Sequence, residues 1–189
     1  MKEFVRLVIN FFKTRFYVNS EFLLYVYKIP KKQNSPVKIV KANNNNISDI
    51  LHFQEKRYLK MFKNFLSIGD IGYLGYINNK CIHRSWVKKG EQIVRLQKFL
   101  PYKLNKNQIF IHMCETAHEA RGKNIYPTVL CKIIDDFKDN YEILIAVDSK
   151  NISSIKGIEK AGFILVEKQK IKVILGIISR KKQKINVDK

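Results

Sequence analysis

The sequence predicts an α/β domain built on a mixed β-sheet, and three observations support this fold class. A helical pattern runs from Ser48 and Asp49 to about Leu66, hairpin strands precede an apolar central strand at residues 109–116, and two further helices follow it. Hairpins give antiparallel pairs, whereas strands joined through a helix pair in parallel. A chain with both connections predicts a mixed sheet with helices packed against it. Its 189 residues suffice for one domain with a hydrophobic core.

Strands are expected where short apolar runs end at polar or turn residues. Asn78-Asn79 is typical of a two-residue hairpin turn, here between strands at residues 69–77 and 80–87. Residues 96–104 fit neither a strand nor a helix pattern. The other expected strands are residues 22–27, 37–40, 143–148, 164–167 and 171–178.

We divide the chain into three segments. Residues 1–35 are expected to form an N-terminal amphipathic helix and a strand packed on the domain, residues 36–180 the main domain, and residues 181–189 a basic flexible tail. In the first segment, polar residues recur at spacings of three and four among apolar ones, which predicts a helix with a wide apolar face. This helix is too short to span a bilayer. Two alternatives stay open for it: packing on the domain, or weak association with a membrane surface through its flanking basic residues.

The formal net charge of +20, from 36 basic and 16 acidic residues, bears on the class of ligand. Basic residues are spread along the whole chain, with short runs only at residues 31–32, 88–89 and 180–182. The aromatic-basic motifs of the common nucleic-acid-binding modules are absent from the sequence. We therefore expect no specific nucleic-acid binding. The charge indicates a compositional bias that also suits an anionic ligand.

Cysteine and histidine usage argues against a metal site and against disulfides. Cys81, Cys114 and Cys131 show no C-x-x-C spacing, and the four histidines are scattered. The N-terminal segment lacks the small-residue cleavage site of a secretory signal. We expect a cytoplasmic protein with reduced thiols and no bound metal.

The loop after the central strand has the features of a phosphate-binding turn. Residues 121–130 read Arg-Gly-Lys-Asn-Ile-Tyr-Pro-Thr-Val-Leu, and apolar residues at helical spacing follow. Unpaired N–H groups and partial positive charge at a helix start attract anions. Gly122 has no Cβ to keep a ligand away from the backbone. Pro127 fits only within the first helical turn, where its missing N–H is not needed.

A second segment, at residues 151–163, reads Asn-Ile-Ser-Ser-Ile-Lys-Gly-Ile-Glu-Lys-Ala-Gly-Phe. Together the two segments resemble the GNAT superfamily of acyl-CoA-dependent N-acetyltransferases, and the resemblance covers roughly residues 36–178. Three positions depart from the family pattern: Asn124 stands where a small residue is usual, Tyr126-Pro127 replaces a glycine-containing pair, and Ile158 stands where the family often has a tyrosine general acid.

The resemblance implies a single GNAT-like domain whose sheet is mixed, mostly antiparallel and splayed, with acetyl-CoA as acyl donor. In the family, the central strand separates from the next strand, here residues 143–148, and the pantetheine arm enters the gap. The donor-binding positions implied in this sequence are Cys114, Thr116 and Asn151 for the pantetheine, and Arg121, Gly122, Lys123, Asn124 and Ile125 for the pyrophosphate.

Direct attack of an amine on a thioester needs few catalytic side chains, because positioning of the reactants alone can lower the barrier by about 7–11 kcal/mol. A general base adds roughly 10²–10⁴-fold. We predict that His112 is this base, since an imidazole titrates near neutral pH. A regular strand puts His112 on the side of Cys114 and Thr116, whereas a bulge favours Glu115. Tyr126 and Cys114 are the candidate proton donors to the leaving thiolate.

The acceptor amine is inferred from resemblance alone. Residues 83–86 and the Gly-Lys-x-Ile-Tyr-Pro segment of the loop are similar to bacterial GNAT proteins of surface-polysaccharide synthesis. That resemblance implies an anionic, nucleotide-linked amino sugar. Two alternatives stay open: a protein or peptide N-acetyltransferase, which needs a groove open at both ends, and a non-catalytic CoA-fold binding module, which Ile158 supports. The sequence contains no indication of the oligomeric state.

Overall fold

The computed structural model describes residues 17–97 and 99–186, and the predicted N-terminal helix lies outside these ranges. The helices are α1 (Arg57–Ser67), α2 (Ile125–Phe137) and α3 (Ile152–Lys160), with 3-10 helices at Ile47–His52 and His118–Ala120. No helix in the described ranges is both long and apolar enough to cross a membrane. The strands are β1 (Tyr17–Tyr27), β2 (Lys38–Lys41), β3 (Ile71–Ile77), β4 (Lys80–Lys89), β5 (Ile93–Gln97), β6 (Leu100–Lys103), β7 (Gln108–Thr116), β8 (Glu142–Asp148), β9 (Phe163–Ile174) and β10 (Ile177–Lys184).

Eight strands form one sheet in the order β10-β9-β1-β8-β7-β4-β3-β2, and β5 pairs with β6 as a separate hairpin. Neighbouring strands of the sheet are antiparallel except β7 and β8, which are parallel. The predicted α/β domain with a mixed, mostly antiparallel sheet is therefore confirmed. The turn expected at Asn78-Asn79 joins β3 to β4, with φ values of 49° and 60°.

The parallel pair is also the place where the sheet opens. The pairing of β7 with β8 ends at Ile111 with Ile145. β7 then continues to Thr116 against β4, while β8 continues to Asp148 against β1. Among the described strands, none lies beside β7 on its β8 side after Ile111. The splay implied by the sequence resemblance is present.

β1 lies inside the sheet, between β8 and β9. Leu23 and Tyr25 belong to the apolar cluster of α2 and α3, whereas Leu24 and Val26 pack with residues of the β5–β6 hairpin. A strand that is covered on both faces is an internal element of its sheet. The strand expected in the N-terminal segment is thus part of the domain's own sheet.

Two elements near the predicted boundaries differ from the expectation. β10 continues to Lys184, so residues 181–184 pair with β9 although the sequence predicts a tail there. All eight residues of β10 are exposed, so no alternating apolar pattern marks this strand in the sequence. Residues 96–104, which fit neither pattern, fall in the β5–β6 hairpin and the residues next to it.

Two layers cover the sheet. On one face, which we name the α2–α3 face, those two helices bury the apolar side chains of β7 and β8. On the other face, the α1 face, Phe62 stacks on Trp86 of β4 with ring centroids 5.5 Å apart. The β5–β6 hairpin covers the rest of the α1 face, over β1 and β8. The splayed end of β7 therefore lies between the two layers.

Candidate active site

A bulge in β7 decides which side chains point to which face. Met113 has a φ of 49°, and the register of β7 against β4 shifts there. His112, before the bulge, and Glu115, after it, both point to the α1 face. Cys114 and Thr116 point to the α2–α3 face. The bulged strand is the alternative under which the sequence favours Glu115 over His112.

The side chain of Arg84 in β4 holds this bulge from the α1 face. It is 3% exposed, donates to the backbone carbonyl of Met113, and lies 2.7 Å from Glu115 Oε2. It also donates to Gln54 Oε1 at 3.0 Å, and its guanidinium lies 4.5 Å from the centre of the Phe62 ring. Burial lowers the pKa of Arg84, and the Glu115 carboxylate opposes this shift. The geometry of β7 thus depends on a buried, multiply bonded arginine.

A cleft of about 550 Å³ opens where β7 and β8 part, and we name it the splay cleft. Its walls are the end of β7, the loop into α2, the first turn of α2, and one side of α3 from Asn151 to Lys160. The predicted site residues that line it are Glu115, Tyr126, Cys114, Thr116, Arg121, Gly122, Asn124, Ile125 and Asn151. Of the predicted site residues, only His112 and Lys123 are not among the lining residues. Lys123 is nonetheless exposed, between two residues that line the cleft.

The loop before α2 has the backbone that the sequence predicts for an anion site. Gly122 has a φ of +79°, and a Cβ built on it would meet nothing within 4 Å, so its backbone is open to a ligand. Asn124 has a φ of 56° and precedes the helix without a side-chain cap. Pro127 is the third residue of α2, within its first turn. The N–H groups of this helix start are left for an anion.

Helix α3 forms the opposite wall and contributes residues that the sequence did not indicate. Asn151 caps this helix, because its Oδ1 accepts from the backbone N–H of Ser154 at 3.1 Å. Lys156 and Lys160 add positive charge to this wall, and Arg121 adds positive charge to the wall across the cleft. The signal for these lysines was weak, since two charges on an exposed helix are ordinary.

Tyr126 lies against α3 at a glycine. A Cβ on Gly157 would lie 2.6 Å from Cδ1 of the Tyr126 ring, so only glycine leaves room for it. The neighbouring Ile158 is 1% exposed and belongs to the core. The Tyr126 ring therefore lies beside Gly157, the residue before Ile158, where the sequence resemblance leads one to expect a tyrosine. Gly157, next to the position of that departure, was the sequence signal for this arrangement.

A chain of polar side chains runs behind the splay cleft on the α2–α3 face. Nδ1 of His83 lies 2.7 Å from Thr116 Oγ1, and Nε2 lies 2.8 Å from Ser85 Oγ. Ser85 and Tyr126 also interact with the thiol of Cys114, whose Sγ–H donates to the backbone carbonyl of His112 at 3.7 Å. One neutral tautomer satisfies both contacts of the ring: Thr116 donates to Nδ1, and Nε2–H donates to Ser85. The sequence showed a polar run inside an apolar strand but not this network.

Two titratable groups of the network are held in their neutral forms. Burial, reinforced by nearby Arg84, lowers the pKa of His83 to about 3. Burial also raises the pKa of Tyr126 well above its usual value, and the adjacent Cys114 adds to the shift. At neutral pH, His83 thus carries no charge and Tyr126 keeps its proton. His83 is therefore unsuited to act as a base, and Tyr126 is in the protonated form that a proton donor needs.

His112, the predicted base, points into the α1 layer. Its Nε2 lies 3.4 Å from Asp70 Oδ2, and its ring contacts the edge of Phe65 with centroids 5.3 Å apart. Asp70 in turn lies 3.0 Å from Lys88 Nζ. The His112 side chain is 16% exposed, whereas that of Glu115 is 42% exposed. Of the two candidates, Glu115 is the one that reaches the splay cleft.

Comparison with known proteins agrees on the fold. No protein-family model and no curated protein matches the sequence. A GNAT-family acetyltransferase from Colwellia psychrerythraea superposes with a TM-score of 0.64 at 13% identity, over 83% of this chain and 56% of that chain. This chain thus spans just over half the length of that protein.

Two further structures share the fold. One is described as a GCN5-related glucosamine N-acetyltransferase region of a fungal multi-domain β-N-acetylglucosaminidase, with TM-score 0.58, 13% identity, and coverage of 88% of this chain and 22% of that one. The other is an aminoglycoside 6'-N-acetyltransferase from Acinetobacter haemolyticus, with TM-score 0.52, 14% identity, and coverage of 67% and 90%. The chain therefore has the fold of the GNAT acetyltransferases.

The buried, neutral His83 leads to a prediction about stability. Between pH 6.5 and about 3, the unfolded chain binds a proton that folded His83 does not. The free energy of unfolding should therefore fall as the pH decreases through this range. Urea denaturation of wild type and His83→Gln at several pH values checks this: the difference in stability between the two should shrink as the pH falls. A difference that stays constant from pH 7 to 4 would contradict it.

Proposed function

We propose that the protein is an N-acetyltransferase that uses acetyl-CoA and moves the acetyl group directly to the primary amine of an anionic amino sugar. The observation that carries the proposal is the splay cleft itself. It joins an anion-binding helix start, an unpaired strand edge and the carboxylate of Glu115 in one opening. These are the parts that an acyl donor with a pyrophosphate and an amide-bearing arm requires.

The residues present fit acetyl-CoA. The open backbone at Gly122 and the free helix start suit a pyrophosphate, and Arg121, Lys156 and Lys160 supply positive charge around it. The edge of β7 after Ile111 offers backbone groups to the amides of a pantetheine arm, in the manner of an added strand. The donor therefore lies along β7, with its thioester near the bulge.

The chemistry needs one proton acceptor and one proton donor. The amine nitrogen forms a bond to the thioester carbon, its proton passes to the Glu115 carboxylate directly or through a water, and the carbon–sulfur bond breaks. Tyr126 donates a proton to the leaving sulfur. A general base contributes roughly 10²–10⁴-fold. Backbone N–H groups at the bulge are the candidates to stabilise the oxyanion, a contribution of about 3–4 kcal/mol in acyl transfer.

We assign the base role to Glu115 rather than to His112. Glu115 lines the cleft and is oriented by Arg84, whereas His112 points into the α1 layer, where its Nε2 lies 3.4 Å from Asp70. Because Glu115 points to the α1 face and Tyr126 to the other, proton acceptor and proton donor stand on opposite sides of β7. An acceptor amine approaching from the α1 face meets Glu115 first.

Charge on the acceptor side supports an anionic acceptor. Gln54, which accepts hydrogen bonds from Arg84, precedes α1, where Lys56 and Lys60 are exposed and Arg57 is paired with Glu55. This cationic approach suits a diphosphate-linked sugar. Two proteins of the same fold are described as acting on glucosamine and on aminoglycosides, which are amines carried on sugars. The link to surface-polysaccharide synthesis and a cytoplasmic location remain part of the proposal.

The acceptor class is tested by acetyl-CoA-dependent release of free thiol in the presence of different amines. We expect turnover with amino sugars, higher with a nucleotide-linked amino sugar than with the free sugar because of the cationic approach. Peptides and polyamines should give little more than the hydrolysis background. Faster turnover with a peptide would favour the protein N-acetyltransferase. CoA binding without transfer to any of these amines would favour the binding module.

Donor binding is tested at Gly122. In Gly122→Val a side chain should block approach to the loop backbone, and the affinity for CoA measured by calorimetry should fall about tenfold to hundredfold, as for loss of one or two charged hydrogen bonds. Gly69→Val is the matched control, because Gly69 also has a positive φ, of +86°, and open space around its Cβ position. Both variants carry the same backbone strain, but Gly69→Val should bind CoA normally. Unchanged CoA affinity in folded Gly122→Val would refute the donor site.

The base assignment is tested by the pH dependence of kcat/KM with a confirmed acceptor. Glu115→Gln keeps an oxygen for Arg84 but cannot accept the proton, so it should lower kcat/KM by roughly 10²–10⁴-fold and remove the acidic limb of the profile. His112→Ala should keep that limb, because His112 does not line the cleft. If His112→Ala removes the limb while Glu115→Gln retains it, the base is His112.

A further inference from the structure

The tip of the β9–β10 hairpin presents apolar side chains to solvent. Leu175 and Ile177 are 75% and 77% exposed. Ile174 of β9 pairs with Ile177 on one side and with Tyr17 of β1 on the other, and Tyr17 is 54% exposed. Three side chains thus form a row across three neighbouring strands, with Leu175 beyond its end. We name these four residues the hairpin tip.

Leu175 stands in a backbone conformation that its side chain disfavours. Leu175 and Gly176 form a two-residue turn with φ values of +50° and +84°. Asn and Gly are preferred in such turns, and a bulky apolar residue with positive φ is rare. The β3–β4 turn also has positive φ at both residues, 49° and 60°, and uses Asn78-Asn79. Leu175 therefore serves neither the backbone nor the core, and its apolar side chain is left for a partner.

Basic side chains lie directly behind this tip on the same face of the sheet. Lys172 occupies the next row, between Asn19 and Ser179, and the row after it holds Lys181, Lys170 and the Glu21 carboxylate, which lies 3.4 Å from Lys170 Nζ. In the described part of the chain, neither Lys172 nor Lys181 makes an ion pair with a carboxylate. Residues 163–184 contain seven basic residues and one acidic residue. The hairpin thus has an apolar end followed by a cationic surface.

We propose that the hairpin tip docks on the surface of an anionic phospholipid membrane. The apolar row then lies at the boundary between headgroups and acyl chains, and the lysines behind it lie at the level of the lipid phosphates. A nucleic acid offers phosphates but no apolar phase for Leu175 and Ile177. A second copy of this chain would bring two strongly basic hairpins together. Of these three partners, an anionic lipid surface is the one that complements both the apolar tip and the lysines behind it.

The position of β1 supports the same surface. The chain enters β1 at Tyr17, which lies in the apolar row itself. The amphipathic segment that the sequence predicts before residue 17, outside the described residues, is therefore joined to the domain at the hairpin tip.

The proposal is tested by co-flotation of the full chain with phosphatidylcholine vesicles, with and without phosphatidylglycerol. Wild type should bind only the vesicles that contain phosphatidylglycerol. Leu175→Asn should weaken this binding by about tenfold, because a mostly exposed leucine no longer enters the lipid. This variant places a preferred residue in the turn, so weaker binding cannot be attributed to unfolding. Lys172→Gln combined with Lys181→Gln should lower binding about fivefold per charge.

Matched controls remove similar groups elsewhere. Ile93→Thr removes an apolar side chain that is 66% exposed at the start of β5, and Lys63→Gln removes an exposed charge of α1. Both should bind vesicles like wild type. CoA affinity should be unchanged in every hairpin variant, so the outcome is independent of the proposed acetyltransferase activity.

Three outcomes would overturn the proposal. The first is no binding of wild type to phosphatidylglycerol vesicles, and the second is equal loss of binding in the control variants. The third is a wild-type dimer, seen by sedimentation equilibrium without lipid, that Leu175→Asn dissociates, because a second copy would then cover the tip. Selective loss in the Leu175 and lysine variants, with a monomer in both cases, would support it.

Discussion

The buried guanidinium of Arg84 is the interaction on which the splayed end of the sheet depends. Removing an arginine from water costs several kcal/mol unless its charge and N–H groups are matched. Here the carboxylate of Glu115, the carbonyl of Met113 and the amide oxygen of Gln54 supply that match. The unfavourable positive φ of Met113 persists because its carbonyl is held in this way. One side chain thus joins β4, the bulge of β7 and the segment before α1 at the point where β7 leaves β8.

The opening of the sheet creates a demand for a ligand as well as a space for one. Backbone N–H and C=O groups need partners, and strands normally provide them for each other. After Ile111, β7 has a neighbour on one side only among the described strands. A ligand with amides along an extended arm can pair with these backbone groups. The helix start after Gly122 has a different requirement, which an anion meets. The unpaired strand edge and the free helix start lie in one cleft, so a single molecule with both features fits it.

The parts of the site that the sequence predicted are those set by local backbone preferences. Gly122 leaves the loop backbone open, and Pro127 lies in the first turn of α2, as the stereochemistry of each residue favours. The bulge at Met113 was not predictable in this way, because methionine has no preference for positive φ and the cause lies in β4. The bulge at Met113 places His112 on the opposite face of β7 from Cys114 and Thr116. The place of β1 between β8 and β9 was equally hidden, because strand pairing is a long-range choice.

The distribution of charge shows the same limit of one-dimensional reasoning. Basic residues that are dispersed in sequence need not be dispersed in space. Arg121, Lys156 and Lys160 come together because the loop before α2 and one side of α3 face each other across the splay cleft. The lysines of β9 and β10 come together because the two strands are paired. A net charge of +20 is therefore not a uniform background: folding divides part of it into a cationic cleft that suits a phosphorylated ligand and a cationic sheet face that ends in an apolar tip. Each surface has its own complementary chemistry, and neither follows from the total.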